Sequence, residues 1–143
     1  MGTYKVHYFL PFILCLMVFL ACDRKTDENG DLDGMWQLTE WRDRSTGHVL
    51  KTNEDNIYYC VQLKLIKFQV GGVGSSYYLS HFTHTPEALT IGKTVYWPDD
   101  EERPLSELAP YGVPSDGRFR IDALTGSRMQ LSTDQDILVF RKY

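Results

Sequence analysis

Apolar and polar residues alternate in short runs along most of the chain from Gly34 onward. Because successive side chains of a β-strand point to opposite faces, this alternation predicts strands that bury one face and expose the other. The clearest examples are residues 118–124, 128–132 and 137–141, which are separated by short turn-forming segments. No stretch keeps a helical period of apolar residues, so the pattern favours an antiparallel β fold.

The same alternation predicts further strands upstream of these three. They lie at residues 35–42, 57–70, 76–84, 89–91 and 94–97. Within the longest of them the apolar parity switches at Leu65-Ile66, which predicts a β-bulge in one long strand. About eight short strands joined by tight turns predict an all-β fold, an up-and-down antiparallel barrel of about eight strands.

The first 21 residues have a different character. Lys5 is their only charged side chain, and residues 8–20 form an uncharged, mostly apolar run. As a helix this run would cover about 20 Å, short of the ~30 Å hydrocarbon core of a bilayer, which is typical of a secretory signal peptide. Ala21-Cys22 follows at once and resembles the lipobox of bacterial lipoproteins. The resemblance implies cleavage between Ala21 and Cys22 and lipid attachment at Cys22, with an ordinary cleaved signal or an uncleaved anchor as the alternatives.

These features divide the chain into a lipoprotein signal peptide over residues 1–21, a flexible tether over residues 22–33 and a barrel domain over residues 34–143. The tether is polar and too poor in apolar residues to pack by itself. Two or three acyl chains at ~0.8 kcal/mol per buried CH2 would hold the protein on a membrane. We therefore expect a lipid-anchored protein of the cell envelope, placed in the outer membrane without a preference for either leaflet.

The start of the first predicted strand carries a second resemblance. Gly34-Met35-Trp36 is similar to the Gly-x-Trp signature of lipocalins. The layout from Gly34 to the C-terminus resembles the small lipocalin-like lipoproteins of Gram-negative bacteria, many of which have no assigned function. In that family the Trp closes one end of an eight-stranded barrel and a basic residue near the last strand packs over it. The resemblance implies these roles for Trp36 and Arg141.

Several function classes receive no support from the sequence. A net charge of −4 argues against nucleic acid as a partner. Residues 29–34 with Glu40 nearly fit a calcium-binding EF-hand loop, but predicted strand and tether replace the helices that such a loop needs. His81 and His84 fall on opposite faces of their strand, so they cannot share a metal. Because no catalytic set of residues appears either, we expect no enzyme activity, no metal and no cofactor.

Aromatic residues are the remaining candidates for a site. Six of those on predicted strands form the predicted ligand-lining set: Tyr59, Phe68, Tyr78, Phe82, Phe119 and Phe140. Tyrosine suits a ligand cavity because it offers an apolar body and a hydroxyl group. It suits a filled barrel as well, since eight strands leave room for side chains or for one small ligand, and a filled core is slightly favoured. Cys60 lies between apolar strand residues and is expected to be a buried, inert thiol.

Two functional hypotheses follow. The leading one is a membrane-anchored, lipocalin-like lipoprotein that binds a small apolar or amphipathic ligand in the barrel or at its mouth. The alternative is a protein-interaction or inhibitor module with a filled barrel that acts through its loops. Residues 98–114, a proline-rich connection with a predicted helical turn at 105–109, would be its contact surface, together with Trp97 and Tyr111.

Overall fold

The computed structural model describes residues 28–72 and 74–143, so the predicted signal peptide, Ala21 and Cys22 lie outside the described residues. The strands are β1 Gly34–Asp43, β2 Val49–Thr52, β3 Ile57–Gln62, β4 Leu65–Val70, β5 Tyr77–His84, β6 Ala88–Trp97, β7 Glu101–Arg103, β8 Arg118–Leu124, β9 Arg128–Ser132 and β10 Asp136–Lys142. Three short 3-10 helices accompany them: Gly30–Leu32, Asn53–Asp55 and Leu105–Tyr111. No helix within these described ranges has the length and apolar character needed to cross a bilayer.

The sheet closes on itself, which confirms the predicted barrel. Neighbouring strands follow the order β10-β9-β8-β6-β5-β4-β3-β1, and β1 pairs with β10 to complete the ring of eight. The pairs are antiparallel, with β1 held between β3 and β10. β2 pairs with part of β1 and β7 pairs with part of β6, but neither strand belongs to the ring. Closure removes the unpaired edges that an open sheet would expose.

The prediction of one bulged strand over residues 57–70 is wrong. The chain reverses at Leu63, whose φ of 55° is left-handed, and Gln62 pairs with Leu65 across a tight hairpin. The switch in apolar alternation at Leu65-Ile66 arises because the chain turns back at Leu63, and not because one strand bulges. The three C-terminal strands, by contrast, lie where the alternation predicts them.

Residues 89–91 and 94–97, predicted as two strands, form the single strand β6. Its pairing with β5 shifts register between Ser80 and Phe82, because β6 carries an extra residue at this point. The interruption that looked like a turn is therefore a β-bulge. Strands β2 and β7 were not predicted, because neither is long enough to show a clear alternation.

One end of the barrel, which we call the tether end, carries the start of β1 and the end of β10. The 3-10 helix Gly30–Leu32 covers it and buries Leu32 completely. Asn29 Nδ2 donates a hydrogen bond of 2.6 Å to the carbonyl of Leu63 in the β3–β4 turn. The flexible tether predicted over residues 22–33 is thus shortened by the structure, because its last residues pack on the barrel.

The opposite end, which we call the mouth, is closed by the 3-10 helix Leu105–Tyr111. This helix buries Leu108, and the Tyr59 hydroxyl donates a hydrogen bond of 2.6 Å to the carbonyl of Tyr111. Gly112 ends the helix with a left-handed φ of 87°, and a Cβ at this position would lie 2.4 Å from Leu138 Cδ2. The helical turn predicted at 105–109 is confirmed, and it acts as a plug.

Candidate functional site

The barrel interior is filled with side chains. Tyr59 and Phe68 have exposed fractions of 0%, and Phe140 has 1%. The ring centroids of Tyr59 and Phe68 are 4.7 Å apart, and those of Tyr59 and Phe140 are 4.6 Å apart. Phe82 and Phe119 are also buried. A water-sized void beside a ring would leave it accessible, so Tyr59, Phe68 and Phe140 form a packed core and not the wall of a cavity. Phe119 belongs to the same core and also borders a groove near one end of the barrel.

Tyr78, the sixth residue of the predicted ligand-lining set, lies at the mouth and is only half-buried. Its hydroxyl donates a hydrogen bond of 2.9 Å to Glu107 Oε2. Burial, together with this contact to the carboxylate, raises the pKa of Tyr78 to about 12. Its ring packs edge-on against that of Tyr111, with 5.7 Å between the ring centroids. Tyr78 therefore holds the 3-10 helix Leu105–Tyr111 on the barrel and does not face an empty space.

Trp36 closes the tether end, as the resemblance implied. It is fully buried, and its Nε1 donates a hydrogen bond of 2.8 Å to the carbonyl of Leu32. The basic residue over its ring is Lys142, whose Nζ lies 4.6 Å from the ring centroid. Arg141 was predicted for this role, and that prediction is wrong. Strand alternation places Arg141 on the outer wall, where its Nε and a terminal nitrogen donate to Gln37 Oε1.

The outer wall carries a continuous row of side chains that crosses six strands. In the order of the strands β6, β5, β4, β3, β1 and β10, the row consists of Trp97, Tyr77, Gln69, Tyr58, Gln37 and Arg141, each paired in register with the next. Three of its members are buried although they point out of the barrel: Gln37 is 5% exposed, Gln69 is 7% and Tyr58 is 9%. Outward polar residues are buried this deeply only where neighbouring groups rise above them, so the row marks the floor of a depression.

The first four members of the row, from Trp97 to Tyr58, line an open groove of about 700 Å3, which we call the aromatic groove. Its principal lining residues are Tyr58, Cys60, Lys67, Gln69, Tyr77, Trp97 and Tyr143. The rings of Tyr77 and Trp97 stack at 6.0 Å with an angle of 13° between them, and Trp97 is 46% exposed. Tyr143 packs edge-on against Tyr58 at 5.6 Å. Stacking against Tyr77 fixes the Trp97 ring, and the exposed part of Trp97 offers an apolar surface to another aromatic or apolar group.

Lys67 and Cys60 face each other across β3 and β4 within this groove. The Lys67 ammonium lies 5.2 Å from the centroid of the Tyr77 ring, within the range of a cation–π contact. Burial raises the pKa of the Cys60 thiol, and the nearby Lys67 only partly offsets this. The raised pKa favours the protonated thiol, but the prediction of a buried Cys60 is wrong, because its side chain is half-buried and lines this outer groove.

A second groove of about 690 Å3 lies near the mouth, between the plug and the β9–β10 turn. Trp41, Arg118 and Arg120 line it, and Arg120 is paired with Asp134 at 2.9 Å. The indole nitrogen Nε1 of Trp41 is buried there without a hydrogen-bond partner in the described part of the chain. A buried donor of this kind normally finds an acceptor, so this nitrogen is an unsatisfied group beneath the groove.

Residues 28–72 and 74–143 contain no group of three or more His, Cys, Asp or Glu side chains that could hold a metal ion. The near match to an EF-hand loop falls on the 3-10 helix Gly30–Leu32 and the start of β1. Asp33 is already used there, since its carboxylate accepts hydrogen bonds from Asn29.

The residues of the aromatic groove were not selected from the sequence, apart from Trp97. Tyr58 and Tyr77 point to the opposite face of their strands from Tyr59 and Tyr78. Ligand-lining residues were predicted on the inner face only. The signal that could have found them is the aromatic character of both faces of β3 and β5. An outward tyrosine on neighbouring strands has no role in the core.

The comparisons with known proteins agree with this architecture. A model of the family described as "Lipocalin-like domain" matches residues 15–143. A lipocalin-like protein from Bacteroides uniformis ATCC 8492 superposes with a TM-score of 0.59 at 20% identity, covering 80% of this chain and 100% of that one. An uncharacterized protein from Bacteroides eggerthii DSM 20697 gives a TM-score of 0.56 at 25% identity, covering 78% and 98%. No curated protein matches the sequence. The family model covers most of the chain, and the closed eight-stranded barrel agrees with it. The chain therefore belongs to the family of lipocalin-like domains.

Proposed function

We propose that this protein is a membrane-anchored, non-enzymatic binding protein of the cell envelope that holds a small amphipathic ligand in the aromatic groove. One observation carries the proposal: the barrel interior is packed, while the outer wall carries an open groove of about 700 Å3 with exposed stacked rings. Ligand sites typically occupy about 300–1,000 Å3 and combine apolar walls with a few polar groups. The aromatic groove matches both criteria.

The groove also has the rigidity that a binding site needs. Its floor is built from five strands of a closed sheet, and the amide Nε2 of Gln69 is held by hydrogen bonds to the carbonyls of Gly71 (3.2 Å) and Gly72 (2.7 Å). Polar groups that are fixed before binding lose little conformational freedom when a ligand arrives. This preorganisation supports a role in binding.

The lipid anchor is proposed from the lipobox resemblance at Cys22. Packing against the barrel starts close behind it, with Asn29 hydrogen-bonded to the β3–β4 turn. Even fully extended, the few residues between them reach only about 25 Å. A lipid on Cys22 would therefore keep the tether end next to the membrane surface, and we propose the outer membrane as its location.

Two measurements test the proposal. Intact-mass analysis of the full chain should show diacylglyceryl mass at a mature N-terminal Cys22, and Cys22→Ser should abolish it. Native mass spectrometry should show a small molecule bound to the wild-type chain and a reduced amount on Trp97→Ala. The control Leu50→Ala removes an apolar side chain of equal exposure, 46%, outside the groove. An unlipidated Cys22 would refute the proposed lipid anchor. Equal ligand occupancy in Trp97→Ala and Leu50→Ala would refute the groove as the binding site.

The unsatisfied Trp41 indole supports a second candidate function, an interaction module that binds a protein through the mouth groove. Docking of such a partner would have to uncover Trp41 Nε1 and then supply a carbonyl that accepts its hydrogen bond. Trp41→Phe keeps the ring but removes the donor, so it should weaken affinity for a captured partner without changing the melting temperature. Unchanged affinity would dismiss this candidate.

A further inference from the structure

The charge distribution of the aromatic groove indicates which kind of molecule it takes. Lys67 carries the only charged side chain among the described residues that line the groove, which contains no Asp or Glu side chain. It is half-buried in the middle of the wall, paired in register with Cys60 on one side and with Leu79 on the other. A cation in this position is notable because the whole chain has a net charge of −4.

Some cations of the barrel have carboxylate partners and others do not. Lys51 lies 3.2 Å from Asp55 and Lys93 lies 3.4 Å from Glu102, whereas Arg141 is bonded to the neutral Gln37. Lys67 forms no ion pair with another described residue, and its ammonium lies over the face of Tyr77. That contact holds the ammonium at the edge of the ring stack without neutralising its charge.

We propose that the aromatic groove binds an aromatic anion whose ring packs against the exposed Trp97 and whose carboxylate meets Lys67. This inference deepens the proposed function and depends on it, since it specifies the ligand of the same groove. Trp97 selects an aromatic body, because its ring is 46% exposed and is held in place by stacking against Tyr77. The unpaired ammonium selects a negative group, because opposite charges attract more strongly in a partly desolvated groove than in bulk water.

A pair of matched probes tests the inference: 2-naphthoate and the uncharged 2-naphthamide, which share the same ring system. Affinities are measured by isothermal titration calorimetry with the full chain in neutral dodecyl maltoside micelles. We expect 2-naphthoate to bind three- to tenfold more tightly than 2-naphthamide. Added NaCl should narrow the difference by screening the charges.

Lys67→Gln should lower the affinity for 2-naphthoate to that for 2-naphthamide. Lys67→Arg should retain the tighter binding of 2-naphthoate. Lys64→Gln is the control, since Lys64 lies in the exposed β3–β4 turn outside the groove and should leave both affinities unchanged. Trp97→Ala should weaken both probes together.

The outcomes separate the two proposals. If both probes bind, Trp97→Ala weakens both and Lys67→Gln leaves the preference unchanged, the groove is a binding site and the anion selectivity is refuted. If neither probe binds, or Trp97→Ala has no effect, the groove is refuted as the binding site and the inference fails with it. Selective loss of 2-naphthoate in Lys67→Gln supports both.

Discussion

Replacing Phe68 with alanine tests whether the barrel is filled. Phe68 is 0% exposed, its ring lies 4.7 Å from that of Tyr59, and it lies 6.1 Å from that of Tyr111 beneath the plug. Truncating such a ring removes its burial and leaves a void that the rigid sheet cannot close. Phe→Ala changes in packed cores cost about 3–5 kcal/mol, and we expect a loss in this range.

The measurement is equilibrium unfolding in urea, followed by circular dichroism, with the slope of the transition checked for constancy. Because about 3–5 kcal/mol is a large part of the stability of a small domain, Phe68→Leu provides a milder variant that should lose roughly 1–1.5 kcal/mol. Val70→Ala is the matched control on the same strand. Val70 is 44% exposed, so its truncation should cost less than about 0.5 kcal/mol.

The void left by Phe68→Ala should also bind benzene, as engineered apolar cavities do, and benzene should raise the melting temperature of the variant more than that of the wild type. If Phe68→Ala loses less than about 1 kcal/mol, the filled-barrel argument is wrong.

Three further changes test other parts of the fold. Gly112→Ala places a Cβ 2.4 Å from Leu138 Cδ2 at a φ of 87°, so urea unfolding should show that the free energy of unfolding falls by about 2–4 kcal/mol. Gly47→Ala has a similar φ of 72° but open space around its Cβ, so it should lose only about 1 kcal/mol. Lys142→Met should shift the indole N–H resonance of Trp36 and cost about 0.5–1 kcal/mol, and an equal shift in Arg141→Met would restore the original assignment of the basic residue. Hydrogen bonds from Ser45 and Thr46 lower the pKa of Asp43 to about 2, so its stabilising contribution is complete above pH 4 and is lost as the pH falls towards 2. Carboxyl-carbon NMR should give this midpoint, and Asp43→Asn should remove that part of the acid dependence.

The alternation of residues predicted the architecture well, because a strand that buries one face leaves a period of two in any sequence. Where it failed, the cause was local geometry. Leu63 takes a left-handed backbone without the Asn-Gly or Gly residues that usually signal a tight hairpin, so the turn between β3 and β4 was read as a bulge. At Gly92-Lys93 the opposite error occurred, since a bulge in β6 resembles a turn when only one strand is seen.

The aromatic groove could not be predicted for a different reason. It depends on which residues face each other across strands, and register between distant strands is set by closure of the sheet. The assignment of Arg141 failed by one position for the same reason. The register places Lys142 opposite Trp36, whereas Arg141 faces Gln37.

The aromatic groove depends on closure of the sheet. Met35 and Tyr143, which both line it, are far apart in sequence, and the Tyr143 N–H donates to the Met35 carbonyl at 2.8 Å only when the first and last strands of the ring have paired. The complete groove therefore exists only in the closed barrel, and the open or partly assembled chain has no equivalent surface. A ligand present at about 100 times its dissociation constant would add about 2.7 kcal/mol to the folded state. Occupancy of the groove would then slow the opening of the β1–β10 seam, so ligand supply would set how long the protein survives proteolysis.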